Sequence, residues 1–340
     1  MKQCEYKKIK TKTGMIFTKK NSITLNNYEF LYVADYGKEK NIKANFLGLT
    51  NEISKVEGEL SPLEEKIVIT ISTQNGCGMS CRFCDAPLVG YGKNLSYYEI
   101  IDQVLYAWHY SGVSYTKRLN LHFARMGEPT LNPHIIQASL FFFDYFENLG
   151  SVNVFHPVIS TMVPKNSIGI SRNFIQEWAS LKNGFFKGDA GLQFSINSTD
   201  NDQRDYLFNK RSASLEEIAD IGKNLPNPTG RKYCLNFCIT KDSRIDAEKL
   251  SMLFDPKRFM VKITPMHNTQ KGRENGLISP EGYVSYDLYR EYEQRLINRG
   301  FDVIVFIPSI EEEDGRITCG NAILSDKIKL EGLSNQQTEL

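Results

Sequence analysis

Cys77, Cys81 and Cys84 stand in the stretch QNGCGMSCRFC, which holds three of the chain's seven cysteines. Their spacing is C-x3-C-x2-C, and the flanking Gly76 and Gly78 place them in a loop. Such a loop can wrap a metal centre so that three thiolates converge on it. A structural zinc site wants four ligands, and no second pair with zinc-type spacing follows nearby. A [4Fe–4S] cluster on three thiolates leaves one iron open, which is useful only if a substrate or cofactor binds that iron. Three unrelated loop thiols, or a zinc site with a remote fourth ligand, are the plain alternatives.

Other residues could work beside such a centre. In HFARMGEPTLN, Gly127 lets the backbone approach a ligand closely and the Glu128 carboxylate can accept a hydrogen bond from an ammonium group. The plain alternative is a turn with Pro129 opening a helix. Ser160 and Thr161, then Ser195 and Asn197, offer small polar groups that could equally be helix caps. His267, in TPMHN, is a further candidate, though a lone histidine is more often structural. Cys319, in EEEDGRITCGNAIL, is a separate thiol near the end of the sequence.

These residues need elements to hold them. IVITIS is a β-branched buried strand that runs into the cysteine loop. Candidate strands cover 67–72, 119–123, 152–160, 191–196, 233–240 and 260–264. Helical segments alternate with them, and Ser96-x-x-Glu99 and Ser214-x-x-Glu217 form capping boxes that fix two helix starts. Six βα units with near-continuous apolar strands imply a parallel α/β sheet with helices outside, most economically a partial (β/α)6 barrel. Its working end is the C-terminal end of the strands, where each candidate falls. A helix over 280–298 and a strand over 302–307 follow. The first sixty-odd residues read as short strands, with alternation in YEFLYVAD and a turn at Gly37. The expected division is a small β-rich region over 1–62, the barrel over 63–300, and a strand with a flexible segment carrying Cys319 over 301–340.

The chain has 340 residues, 41% of them hydrophobic and 24% charged, enough for a normal core. A net charge of +1 gives no global pull on nucleic acid. The first twenty residues do hold seven lysines against one acid, Glu5, most simply a solvated basic face. No signal-type start or long apolar run occurs, and an odd, dispersed cysteine count is unlike a disulfide scaffold, so a cytoplasmic protein without membrane attachment is expected.

The C-x3-C-x2-C loop after the first strand, with Phe83 before the last cysteine and GEP one βα unit later, resembles the radical S-adenosylmethionine (SAM) superfamily. The resemblance implies a [4Fe–4S] cluster on Cys77, Cys81 and Cys84, whose open iron is chelated by SAM. It also implies reductive cleavage to a 5′-deoxyadenosyl radical and an electron donor such as a flavodoxin or ferredoxin. Gly127 and Glu128 match the motif holding the SAM amino group. Ser160, Ser195 and Asn197 fall where ribose and carboxylate would lie, and His267 falls near the adenine.

More narrowly, MGEPTLN, ISTMVP, FSINSTDNDQRDYLFN, ITPMHN and TCGNAIL resemble, in order, the blocks of the RlmN/Cfr-type RNA adenine methylases, over roughly residues 65–325. In that family the cysteine of the CG block, here Cys319, is methylated by one SAM and passes its carbon to adenine C2 or C8 of RNA. The family's second cysteine, seven positions before the first cluster cysteine, is Thr70 here, and a threonine can neither serve as that base nor form a disulfide. Cys234 and Cys238 on the fifth strand are the available substitutes, or else small buried hydrophobes. The family's helical RNA-binding domain before the barrel has no counterpart in the strand-like first sixty residues. Methylation of RNA or a nucleotide through Cys319 is therefore the leading expectation. Radical hydrogen abstraction from a small molecule or peptide comes next, and a non-catalytic iron–sulfur or zinc protein binding a partner after that.

Overall fold

The computed structural model describes residues 6–20, 27–34, 42–43, 60–277, 280–283 and 285–325. The expected turn at Gly37, the terminal Lys2 and Glu5, and the stretch 326–340 lie outside them. The first region forms β1 (Lys7–Lys10), β2 (Gly14–Lys20), β3 (Asn27–Val33) and β4 (Ile42–Lys43). Then come β5 (Ile67–Thr70), β6 (Gln74–Gly76), β7 (Tyr91–Asn94), β8 (Thr116–Phe123) and β9 (Val152–Thr161). They are followed by β10 (Gly191–Ser195), β11 (Tyr233–Ile239), β12 (Phe259–Pro265) and β13 (Val303–Phe306).

Among the described residues all but β6 and β7 join one sheet, in the order β1-β2-β3-β5-β8-β9-β10-β11-β12-β13-β4. Six parallel pairings run from β5 through β8, β9, β10, β11 and β12 to β13. The expected strands are there, and the 303–306 strand extends the parallel run by one. Because each parallel strand pairs with its successor, right-handed crossovers put the helices on one face and leave the other turned inward. Burial agrees: on β12, Phe259, Val261 and Ile263 are buried, whereas Met260 and Lys262 between them are only partly so. Among the described residues antiparallel β1–β3 flank the parallel run at one edge and β4 at the other.

The helices are α1 (Tyr97–Ser111), α2 (His134–Asn148), α3 (Ile168–Asn183), α4 (Asn201–Leu207), α5 (Leu215–Lys223), α6 (Ala247–Leu253), α7 (Gln270–Glu274), α8 (Asp287–Asn298) and α9 (Ile310–Asp314). Both expected capping boxes form: Ser96 and Ser214 each accept the N–H three residues on, and Glu99 and Glu217 return the bond. The expected 280–298 helix is instead a 3-10 turn at Pro280–Tyr283 and then α8. Tyr289 OH donates to Gly282 O at 2.6 Å, folding that turn back against α8 in place of a continuous helix. A core that includes Phe123, Phe142, Phe146 and Trp178 fills the space between helices and sheet. Among the described residues no helix is long and apolar enough to cross a membrane.

Candidate functional site: the cysteine loop and the thiol beside it

The cysteine loop is closed by a hairpin. β6 leads into it and β7 leaves it, paired antiparallel. At Gly76, φ is +68° and a Cβ would lie 2.2 Å from Gly90 O, so only glycine fits where the two sides cross. The Cys77 N–H donates to Gly90 O at 3.0 Å, and the Cys84 N–H to Cys81 O at 3.2 Å. Outside the hairpin, Thr269 Oγ1 donates to Phe83 O at 2.9 Å and Asn275 Nδ2 to Arg82 O at 3.0 Å, so the loop leans on α7.

All three thiols are free and partly buried. Burial pushes Cys77 up to about 11 and Cys81 and Cys84 well above the usual thiol range, and on Cys81 and Cys84 neighbouring thiols add to it. The Cys81 thiol donates to Met162 Sδ at 3.8 Å. Among the described residues no three His, Cys, Asp or Glu side chains stand in metal-ligand geometry. The loop thus brings three sulfurs, none of them in a disulfide, into one electrostatic neighbourhood and stops short of a finished cage. Such crowded, buried thiols give up their protons readily only when a metal ion binds the thiolates and the protons are released to solvent.

Gly127 and Glu128 meet the cysteine loop directly. Gly127 has φ +101°, and a Cβ there would be 2.6 Å from Thr73 Oγ1, while Met126 O accepts the Thr73 N–H at 2.8 Å. Glu128 is buried and caps the short 3-10 turn that Pro129 opens. Its Oε1 accepts Thr130 N at 3.1 Å and Thr130 Oγ1 at 2.8 Å, and its Oε2 accepts Met162 N at 3.2 Å. Burial raises its carboxyl despite these bonds, and its charge acts on both Cys77 and Cys81.

The remaining candidates lie along the ends of successive strands. Ser160 Oγ donates to Gln193 Oε1 at 3.1 Å, and Asn236 Nδ2 donates to the same oxygen at 2.6 Å. Ser195 ends β10; Asn197, buried at φ +59°, accepts the Cys238 N–H at 3.0 Å. His267 joins a polar knot: its Nδ1 is 2.5 Å from Tyr283 OH and 3.1 Å from Glu313 Oε2. Glu313 also accepts from the Asn268 N–H, Tyr283 OH and Thr318 Oγ1. These bonds outweigh burial and hold its carboxyl at about 2. His267 is thus tied to the segment that carries Cys319. Arg204, in the matching FSINSTDNDQR block, is buried and donates to Ile196 O, Ser212 Oγ and Ala213 O, which makes it a brace of the loop after β10.

Cys319 is exposed to solvent, yet enough protein surrounds it for burial to raise its thiol, with Lys262 and Arg125 opposing. It is also among the groups that raise Cys84 and Cys238. The sequence suggested a flexible carrier; over 307–325 the structure shows a pinned one. Asp85 N donates to Gly320 O at 2.8 Å, and Gly320, at φ +86°, packs on Phe83 O and Cys84 Cα. On either side of Cys319 stands a buried pair that the sequence reading missed. Arg125 Nε donates to Glu29 Oε1 at 2.8 Å, and Arg125 Nη2 lies 2.6 Å from the same oxygen without hydrogen-bond alignment. Arg125 Nη1 reaches Thr318 O at 3.5 Å, while Glu29 accepts the N–H groups of Ile323 at 3.1 Å and Leu324 at 3.0 Å. Nothing local in the sequence ties Glu29, on β3, to residue 319; a charged residue amid the apolar YEFLYV run was the available signal.

Of the two spare cysteines, Cys234 is buried, with its thiol on Asn236 Oδ1 at 3.2 Å and pushed up to about 12 by burial. Cys238 is partly buried and accepts Thr264 Oγ1 at 3.3 Å. Thr70 ends β5, paired with Leu31 and His122. Two hollows lie nearby or apart. One of about 250 Å³ is lined by Cys81, Arg82, Lys271 and Asn275, behind the loop. Another of about 1010 Å³, along α6 and α8, contains none of the candidates, and several of its charges pair with one another, as in Arg244–Asp200 and Arg299–Glu248.

The fold is that of a radical SAM protein. A crystal structure of a radical SAM methyltransferase from Sphaerobacter thermophilus matches with a TM-score of 0.66 and 20% identity, over 94% of this chain and 80% of that one. No family model matches the chain. Curated relatives include probable dual-specificity RNA methyltransferases RlmN of Aquifex aeolicus (28% identical, 65% of this chain and 62% of that one) and Petrotoga mobilis (26%, 75% and 72%). The RlmN of Ruthia magnifica is 46% identical over 76 residues, 22% of this chain and 21% of its own. The chain spans about three fifths of the length of the first of these relatives. In sequence and fold the chain thus resembles the RlmN-type radical SAM methyltransferases, at a divergent distance.

Proposed function

We propose that this chain is a radical SAM enzyme that methylates an adenine carbon, in RNA or in a nucleotide, through Cys319. One observation carries the reading: the Asp85–Gly320 bond and the packing of Gly320 against Phe83 and Cys84 hold Cys319 beside the cysteine loop, in place of swinging on a tail. Cys77, Cys81 and Cys84 would hold a [4Fe–4S] cluster; the donor set fits, being three soft thiols in one loop, none of them in a disulfide. When bound, that group supplies the electron that splits the SAM sulfonium.

The chain's own part is positioning and proton handling. Gly127 keeps the backbone against Thr73, and the Glu128 carboxylate stays oriented by Thr130 and Met162 where it can receive the SAM ammonium group. To accept a methyl group, Cys319 must lose its thiol proton, and Lys262 and Arg125 favour the thiolate against the burial that opposes it. Cys238 is the spare thiol in electrostatic reach of Cys319, which makes it the candidate for the role that Thr70 cannot fill.

Anaerobic reconstitution should give about four irons per chain and SAM-dependent 5′-deoxyadenosine under strong reductant. Methyl-labelled SAM should leave label on Cys319, read by mass spectrometry. No iron uptake, or a cluster that never cleaves SAM, defeats the enzyme reading. An unlabelled Cys319 in protein that does make 5′-deoxyadenosine defeats the methylase and favours hydrogen abstraction from a small molecule or peptide.

A further inference from the structure

Lys262 is a cation in an unusual place. It sits in the middle of β12, paired in register with Asn236 of β11, which is in turn paired with Ser195 of β10. Its chain neighbours Val261 and Ile263 are fully buried toward the helices, so Lys262 faces the inner side of the sheet. Its ammonium lies 4.9 Å from the centroid of the Phe306 ring. Among the described residues no ion pair joins it to a carboxylate, and its register partners Asn236 and Ile304 are uncharged. A partly buried cation without a counter-charge is costly, and one aromatic face offsets only part of that cost.

A second donor stands close by. Gln193 Oε1 is taken by Ser160 and Asn236, which leaves the Gln193 Nε2 amide without a partner among the described residues. The pairings Gln193–Cys234 and Asn236–Lys262 put Gln193 two strands over and a step deeper, and the bond from Asn236, the register partner of Lys262, to Gln193 Oε1 draws its amide toward Lys262. The thiols that Lys262 acts on are Cys234 and Cys238, on the neighbouring strand β11, and Cys319.

We propose that Lys262 and the Gln193 amide form an anion subsite inside the partial barrel that takes a phosphate group of the adenine-bearing substrate. The inference rests on the methylase reading for the substrate's identity, and the subsite deepens that reading by saying which part of the substrate enters the lumen. The phosphate belongs to a free nucleotide or to an RNA strand, and two probes separate them.

Equilibrium binding to the reconstituted protein is measured with adenosine, adenosine 5′-monophosphate and a short adenine-containing oligoribonucleotide. At least one phosphate-bearing probe should bind more tightly than adenosine, and Lys262→Gln should weaken it about tenfold to a hundredfold, the range for one charge-assisted hydrogen bond. Lys262→Arg should restore most of the affinity, and the thermal midpoint should not move. Tight binding of the monophosphate assigns a free nucleotide; binding of the oligoribonucleotide alone assigns RNA. If Lys262→Gln lowers the midpoint, Gln193→Glu, which sets a like charge against the phosphate, should show the same loss. The subsite is overturned if neither phosphate probe outbinds adenosine, if the substitutions leave affinity unchanged, or if Lys262→Gln weakens SAM binding instead. Formation of 5′-deoxyadenosine with dithionite is scored separately; its absence in the wild type defeats the enzyme reading and leaves the phosphate result standing.

Discussion

Glu29→Ala tests whether the buried pair on β3 and the loop after β8 holds Cys319 in place. The side chains of Arg125 and Glu29 are 2% and 0% exposed, so truncating the glutamate leaves a guanidinium buried without its counter-charge. Removing one partner of such a pair costs about 3–5 kcal/mol, and the orphaned N–H groups of Ile323 and Leu324 fall within that loss. The cost should land on the docked 318–324 segment. Each 1.4 kcal/mol multiplies the detached population by about ten, so detachment should rise by at least about a hundredfold. A detached Cys319 escapes the burial that raises its thiol and should alkylate faster. Urea unfolding gives the stability loss, and mass-resolved iodoacetamide labelling gives the rate at Cys319 against that at Cys234. The double variant Glu29→Leu/Arg125→Leu should recover much of the stability, because neither charge is left buried alone. A loss under about 1 kcal/mol, or an unchanged Cys319 rate in a destabilised Glu29→Ala protein, refutes the clamp.

Two further outcomes are expected. Glu313 is held at about 2 against an ordinary 4.5, so its contribution is fully present above about pH 4.5 and is lost as pH falls toward 2. Wild type should therefore lose up to about 3 kcal/mol more than Glu313→Gln across that window in acid unfolding, and parallel curves would contradict it. Cys238→Ser should abolish multiple-turnover methylation while sparing 5′-deoxyadenosine formation, whereas Cys234→Ser should leave both within about twofold; equal effects of the two substitutions would remove Cys238 from the proposed role.

Much of this architecture is legible in the sequence because its signals are local. Strand runs such as IVIT, the capping boxes at Ser96 and Ser214, and the glycines around Cys77 each act within a few residues, and parallel order follows from alternation. The placement of Glu128 against the cysteine loop is legible too, since consecutive βα units put their strand ends side by side. What sequence could not show depends on pairings between distant strands. That β1–β3 extend the sheet at β5, that Glu29 meets Arg125, and that Lys262 faces inward all follow from tertiary register. Cys238 and Cys234 are four residues apart and thus share a face of β11; only depth along that face separates a thiol near Cys319 from one sealed against Asn236.

The bonds from Ile323 and Leu324 to Glu29 span 294 and 295 residues. Closing a loop of that size is entropically expensive, and contacts of such sequence separation form late. The acceptor side is built from β3, already woven into the sheet beside β5, so the CG segment can dock only after the sheet exists. The order of assembly thereby keeps Cys319 apart from the three loop cysteines while the chain is still partly folded. Four thiols that would otherwise be free to cross-link in wrong combinations meet only when the surrounding protein already fixes their positions.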